Sequence, residues 1–205
     1  MRHQPLDIRT WNDNPWSTIA DRWMLVTAGS MDSWNTMTAS WGGFGHLWNR
    51  DVAFVFVRPT RHTFGFMEKS GSFSLSFFDE DWRGALATCG RVSGRDCDKA
   101  ALTGLVPEPF GYAKSAEATT TATAAAAGTV PGAVPGAGAV SVVGFRQARI
   151  VLACRKLHAQ DLDPACFVDP AIAENYKARD WHRLYVASIE AAWRLASPGE
   201  TGSRD

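Results

Sequence analysis

An antiparallel β-barrel with short peripheral helices is the architecture that this sequence predicts, on three observations. Some six strand-like apolar runs recur along the 205 residues, separated by stretches too short for anything but brief helices. Residues 72–77 alternate strictly, with Phe73, Leu75 and Phe77 on one face and Ser72, Ser74 and Ser76 on the other. Residues 183–193 alternate too, placing Tyr185, Ala187, Ile189, Ala191 and Trp193 on one face. The length suits one domain with a substantial core.

In chain order, residues 1–22 read as an irregular opening segment that Trp11 and Trp16 anchor to the domain. Residues 23–28 form the first strand, ended by Gly29-Ser30. Residues 35–41 make its antiparallel neighbour, with a turn at Asp32-Ser33 between them. In this second strand Thr36, Thr38 and Ser40 share one face, while Met37, Ala39 and Trp41 share the other as core. A glycine-rich loop, residues 42–46, leads to the buried strand 52–57. Thr63 caps a short helix over 64–69, weakened by Gly65. Two further short helices are expected, one from Asp81 to Leu86 and on to Cys89, the other over 96–102 and stopped by Gly104 and Pro107.

Residues 113–140 change character, filled with Ala, Thr, Gly, Pro and Val and almost uncharged after Glu117. Such a stretch buries too little side-chain surface to offset its ordering entropy, so it reads as a flexible insertion within the domain. Strand patterns resume at 149–157 and 183–193, with a short helix from Asp169-Pro170 towards Tyr176 between them. Residues 1–195 thus form a single domain, and 196–205 a polar, disordered tail.

Composition excludes several classes of function. The 21 basic and 21 acidic residues balance, so neither nucleic acid nor an anionic membrane is the expected partner. No apolar run approaches the roughly 20 residues of a membrane span, and the N-terminal residues lack a signal peptide's apolar stretch. Cys89, Cys97, Cys154 and Cys166 show no metal-ligand spacing and read as cytoplasmic thiols. There is no Gly-x-Gly-x-x-Gly after a strand, hence no Rossmann site for a nicotinamide cofactor. His46, His158 and His182 have no visible nucleophile or carboxylate partner and default to structural or surface roles.

One stretch reads as a binding site. Hydroxyls on strand 35–41, the Gly42-Gly43 step, and Arg58, Arg61 and Thr63 ahead of a helix suit a planar, phosphorylated ligand with polar edges, such as a flavin mononucleotide. The plainer alternative is that threonine is a good strand residue and that strand-end arginines are solvated charges.

Several motifs together resemble the flavin reductase-like, FMN-binding split-barrel family. They are Asn35-Thr36-Met37-Thr38-Ala39-Ser40-Trp41-Gly42, Phe56-Val57-Arg58-Pro59-Thr60-Arg61-His62-Thr63 and Phe66-Met67-Glu68-Lys69-Ser70-Gly71-Ser72-Phe73. Further along come Cys89-Gly90, Ser93-Gly94-Arg95-Asp96, Asp98-Lys99 and Gly104-Leu105. The resemblance implies a Greek-key split barrel that forms a homodimer, with FMN near the interface. It implies that Asn35, Thr36, Met37, Thr38, Ala39, Ser40 and Trp41 contact the isoalloxazine edge and ribityl chain, and that Arg58, Arg61 and Thr63 hold the phosphate. Ser93, Gly94 and Arg95 would add contacts, with an ordinary solvated loop and helix cap as the alternative. The chain departs from the pattern at His62, where a tyrosine is usual, and in the 113–140 insertion.

The activity implied is hydride transfer from NAD(P)H to flavin and on to an acceptor, the nicotinamide stacking on the flavin without a fold of its own. A non-catalytic FMN carrier or sensor is the second reading. A small barrel that binds some other ligand is the third.

Overall fold

The computed structural model describes residues 2–112 and 140–196. They contain ten strands and three short α-helices. The strands are β1 (His3–Pro5), β2 (Met24–Ser30), β3 (Ser33–Ala39), β4 (Gly42–Leu47), β5 (Arg50–Val57), β6 (Ser72–Phe77), β7 (Pro107–Tyr112), β8 (Val140–Phe145), β9 (Ile150–Asp161) and β10 (Arg183–Leu195). The helices are α1 (His62–Lys69), α2 (Arg83–Arg91) and α3 (Lys99–Thr103). The main sheet is antiparallel throughout and runs β3-β2-β6-β9-β10-β5-β4, with β1 added to β10.

The ends of this order, β3 and β4, are consecutive in the chain and separated only by Ser40 and Trp41. Three steps of 3.8 Å between successive Cα atoms hold Ala39 and Gly42 within about 11 Å, so the sheet must curl until its edges nearly meet. Among the described residues the two edges do not pair, and the barrel stays open along that line.

Its interior is filled by Met24, Val26, Val55, Phe73, Leu75, Phe77, Leu152 and Tyr185, all essentially inaccessible. A second core lies on the other face of β2, β6 and β9, where Leu25, Val151 and Ala153 meet Leu86 and Cys89 of α2 and Phe110, Val142 and Phe145 of a β7–β8 hairpin.

This second core covers the serine face of β6: Ser74 and Ser76 are fully buried, and Ser74 Oγ donates to the carbonyl of Val143. Small side chains there let the hairpin lie close against the sheet. The hairpin itself escapes sequence reading because Pro107, Pro109 and Gly111 break the strand signal in β7. Proline is tolerated because β7 pairs on one side only.

β4 is hidden likewise by its glycines, and the expected loop at 42–46 is a strand. Gly43 and Gly45 lie beneath the ring of Phe54, and a Cβ on Gly42 would stand 2.5 Å from the Phe54 carbonyl oxygen. Aromatic cover of this kind compensates for glycine's weak strand propensity. The β4–β5 turn carries Trp48 and Asn49, both in the left-handed region (φ 52° and 56°), as a type I′ turn requires.

Two other expectations change. Trp11 does anchor the opening segment, packing on Phe44 and Phe77, but Trp16 is 77% exposed and anchors nothing. In β10 a bulge at Glu190 interrupts the alternation. Tyr185, Ala187 and Ile189 face the barrel interior, whereas Ala191 and Trp193 turn to the second core and Ala192 takes the inner side.

The expected insertion and tail fall outside the described residues, apart from Val140 and Ala196. Tyr112 and Val140 are paired neighbours in the hairpin, so the chain leaves and re-enters at a single point. Replacing 113–139 with Asn-Gly should therefore close a tight β7–β8 hairpin. Thermal unfolding followed by circular dichroism is expected to remain cooperative, with a midpoint within a few degrees of the parent. Loss of the cooperative transition would show that the replaced segment packs on the barrel.

Candidate functional site in the barrel split

A pocket of about 520 Å³ opens at the β3 side of the split, where the chain runs through Ser40 and Trp41 towards β4. Met37, Thr38, Ala39, Ser40 and Trp41 form one wall; Phe56, Arg58, Thr60 and Arg61 form the floor; Asp180 and His182 close the far side. Its size is that of a pocket for a small molecule or cofactor.

β3 contributes as an edge strand, paired with β2 alone. The two-residue connection makes Ser30–Ser33 the closing pair, so hydrogen-bonded pairs recur at Ala28–Asn35, Val26–Met37 and Met24–Ala39. The amides and carbonyls of Thr36 and Thr38 then point off the sheet. Lys99 Nζ confirms that direction by donating to the carbonyl of Thr36 at 2.8 Å.

The side chains of β3 do something other than expected. Met37 and Ala39 are core, but the strand ends at Ala39 and Trp41 is 46% exposed over the pocket. The threonines are spent on structure: Thr36 Oγ1 bonds Thr27 Oγ1, and Thr38 Oγ1 donates to the Leu86 carbonyl of α2. What β3 offers a ligand is backbone edge rather than a row of hydroxyls.

Three bonds fasten α2 to this wall by its C-terminal carbonyls. Thr38 takes Leu86, Lys99 Nζ takes Cys89 at 2.8 Å, and Arg61 Nη1 takes Gly90 at 2.8 Å. Lys99 is buried, and desolvation pulls its pKa below the ordinary lysine value; two carbonyls and a helix C-terminus are what hold its ammonium there.

Arg58 and Arg61 differ. Arg58 is committed: Nη1 donates to both carboxylate oxygens of Asp180 (3.1 and 2.9 Å), Nη2 donates to the Asn175 carbonyl, and its guanidinium lies 5.1 Å from the centre of the Tyr176 ring. The pairing holds the Asp180 carboxyl below the usual carboxylate range. Arg61 gives one bond to Gly90 and keeps most of its five N–H donors at the mouth of the pocket. It is also the N-cap residue of α1, with no side-chain cap on that end, so the helix begins at the pocket floor.

The remaining expected residues sit behind the pocket. Thr63 is fully buried and accepts from Asn35 Nδ2 at 2.7 Å. Gly94 packs on Asn35 so tightly that a Cβ would fall 1.9 Å from Asn35 Oδ1. Arg95 reaches the Thr60 carbonyl, and Ser93 Oγ accepts from the Arg95 amide, but none of Ser93, Gly94 and Arg95 lines the pocket. His62 packs edge-to-face on Phe66.

His182 and Asp180 carried no motif in the sequence. They arrive through a 3-10 helix (Pro170–Tyr176) and an excursion between β9 and β10, closed at its base by Leu162 N donating to the His182 carbonyl. His182 is 7% exposed and is surrounded by the rings of Trp41, Phe56 and Tyr176. Burial, with Arg58 adding to it, pushes its pKa down to about 4, against a smaller opposing pull from Asp180. His46 and His158 are exposed, as expected of surface histidines.

No protein-family model matches the chain, and no curated protein does. Solved structures do. Flavoredoxin from Methanosarcina acetivorans is 20% identical, with 90% of this chain matching 74% of that one at a TM-score of 0.54. The FMN-binding domain of a flavin reductase-like enzyme from Shewanella baltica is 16% identical over 94% of this chain and 77% of that one, at 0.56. The NADH:FAD oxidoreductase of Streptomyces globisporus is 12% identical over 84% and 74%, at 0.51. At these identities the likeness concerns architecture: the chain folds as a split barrel, and the split is the gap between β3 and β4. Among the described residues no helix is long and apolar enough to cross a membrane, and no cluster of metal-ligating side chains occurs.

The His182 shift has a consequence for acid stability. An unfolded chain protonates this histidine near pH 6.5, whereas the folded chain resists until about pH 4. The unfolded state therefore takes the proton first, so the stabilisation is complete above pH 6.5 and is lost as pH falls from 6.5 towards 4. The residue accounts for at most about 3 kcal/mol of that loss. Urea unfolding of wild type and His182→Asn between pH 7.5 and 4.5 should show the steeper acid decline in wild type. Parallel declines would place the titration elsewhere.

Proposed function

We propose that the chain is an FMN-binding, flavin reductase-like oxidoreductase that passes a hydride from NAD(P)H to flavin and on to an acceptor. The observation that carries this reading is the pocket in the barrel split, bordered by an edge strand, Arg61 and a helix N-terminus, on the fold shared with proteins described as FMN-binding.

The residues fit such a cofactor. The off-sheet backbone groups of β3 match the polar edge of a flavin ring, and a guanidinium with spare donors at the start of a helix suits a phosphate dianion. When bound, the flavin supplies the hydride chemistry itself. The chain's part is to hold the ring edge along β3, to anchor the phosphate through Arg61 and Thr60, and to leave a face open beside the exposed Trp41. Arg58 serves the same site from behind: its bonds to Asp180 and Asn175 hold the excursion that closes the pocket. A non-catalytic FMN carrier remains the second reading, favoured by the likeness to flavoredoxin. Anaerobic titration of FMN-loaded protein with NADH and NADPH separates the two: bleaching of the flavin bands supports the reductase, and unchanged bands support the carrier.

The two arginines should separate in a binding assay. Arg61→Ala is expected to weaken FMN by roughly ten- to a hundredfold, the value of a charge-assisted hydrogen bond or two, and to leave riboflavin, which lacks the phosphate, almost unaffected. Arg58→Ala should weaken both flavins alike, because it strands Asp180 and loosens the wall. Fluorescence quenching titrations read both; an Arg61 variant that loses riboflavin equally would move the phosphate elsewhere.

We also infer a homodimer, since Trp16 and Trp48 are exposed at 77% and 56% and large aromatic surface is enriched at interfaces. Light scattering at micromolar concentration should give twice the 22.3 kDa chain mass, and a single-chain mass would refute it.

A further inference from the structure

The pocket holds a hydrogen-bond donor that neither the fold nor the phosphate site requires. His182 lines the pocket, and its Nδ1 lies 2.8 Å from the hydroxyl of Tyr176, a residue only 4% exposed. That contact is the one hydrogen bond of the Tyr176 hydroxyl among the described residues. Two arrangements of the proton are open to a neutral imidazole. If Nδ1 carried it, the tyrosine O–H would be left buried without an acceptor, which is costly. If Tyr176 donates to Nδ1, its proton is satisfied and the imidazole proton sits on Nε2. The second arrangement is the favoured one.

Nothing among the described residues accepts from Nε2. The ring is held in place on three sides, tilted against Trp41 at 5.0 Å and edge-on to Phe56 and Tyr176 at 6.4 and 5.4 Å. Behind it, Asp180 is tied to Arg58 and so is not free to draw the imidazole into an ion pair. The depressed basicity of the group agrees with a neutral ring at physiological pH. An N–H held in one orientation by a buried ring, opening onto a ligand pocket and without a protein acceptor, is a group that a bound ligand can satisfy.

We propose that His182 is a ligand-contacting residue whose Nε2–H donates to a carbonyl or ring-nitrogen acceptor on the flavin ring, with Tyr176 fixing the tautomer. The proposal rests on the flavin reading above. It adds the β9–β10 excursion to β3 in recognition of the ring and leaves recognition of the phosphate to Arg61, so the ring and phosphate contacts can be lost independently.

The test compares His182→Asn with His182→Gln. An asparagine amide occupies roughly the place of Nδ1 and leaves Tyr176 a partner, but it cannot reach the position of Nε2. A glutamine amide can. His182→Asn is expected to weaken riboflavin and FMN equally, by roughly three- to tenfold, and to shift the visible flavin bands; His182→Gln should recover most of both. Equal affinity and an unshifted spectrum in His182→Asn would overturn the proposal, as would equal losses in the two variants. Should either variant fail to fold, nitrogen-15 spectra of wild-type histidines decide: a protonated Nε2 that moves on riboflavin addition supports the contact, and a protonated Nδ1 or an unmoved resonance refutes it. If wild type binds neither flavin, the flavin reading falls and this proposal with it. If wild type binds both and His182→Asn binds them equally well, only this proposal falls.

Discussion

The structure depends on a constraint of chain length: the two edges of a seven-strand path are joined by Ser40 and Trp41 alone. A flat or gently twisted sheet would set those edges far apart. Two residues forbid that, so the sheet must wrap, and its interior becomes the first core. Ser40 and Trp41 do not turn β4 back onto β3, unlike the two-residue connections at Met31-Asp32 and Trp48-Asn49, so the two edges stay unpaired and wrapping stops short of closure. The pocket lies at the β3 side of that line. It is bordered by unpaired backbone because an unclosed barrel has edges.

The wall so formed would be mobile if nothing braced it. The brace is the carboxyl end of α2, whose Leu86, Cys89 and Gly90 carbonyls accept from Thr38, Lys99 and Arg61. These donors come from β3, α3 and the start of α1, so one helix end ties together three elements that are distant in sequence. It explains how a lysine ammonium is kept inside, and why the Thr38 hydroxyl is spent on structure. Helix dipole and cation act together there.

Much of the fold was legible, and the failures share a cause. β2, β5, β6 and β9 announce themselves through apolar runs or alternation, and α1 and α2 through their flanking turns. β4, β7 and β8 did not, because Phe54 substitutes for the missing side chains of β4, prolines sit in an edge, and the hairpin is interrupted by 27 intervening residues between Tyr112 and Val140. Of the residues read as ligand-binding, Met37, Thr38, Ala39, Ser40, Trp41, Arg58 and Arg61 line the pocket, whereas Asn35, Thr36, Thr63, Ser93, Gly94 and Arg95 do not. The division of labour between Arg58 and Arg61 was not readable. It depends on Asp180 and Asn175, more than a hundred residues away, and no local pattern records that pairing. His182 was read as structural or surface because no local pattern records its place in the pocket beside Trp41 and Phe56.

The long β9–β10 ladder carries a further lesson in how such a chain can vary. Leu157 is the additional residue on β9 and Glu190 the additional residue on β10, and the register beyond the second bulge returns to what it was before the first. The two irregularities cancel. Each bulge takes up one residue that the facing strand lacks, and the strand beyond it keeps its partners. On β10 the inward positions change from odd to even across Glu190, from Ile189 to Ala192. Either strand could shed its additional residue without moving its neighbours, so inherited changes of one residue in length are tolerated at Leu157 and at Glu190 independently, whereas elsewhere on the ladder they would exchange interior for exterior.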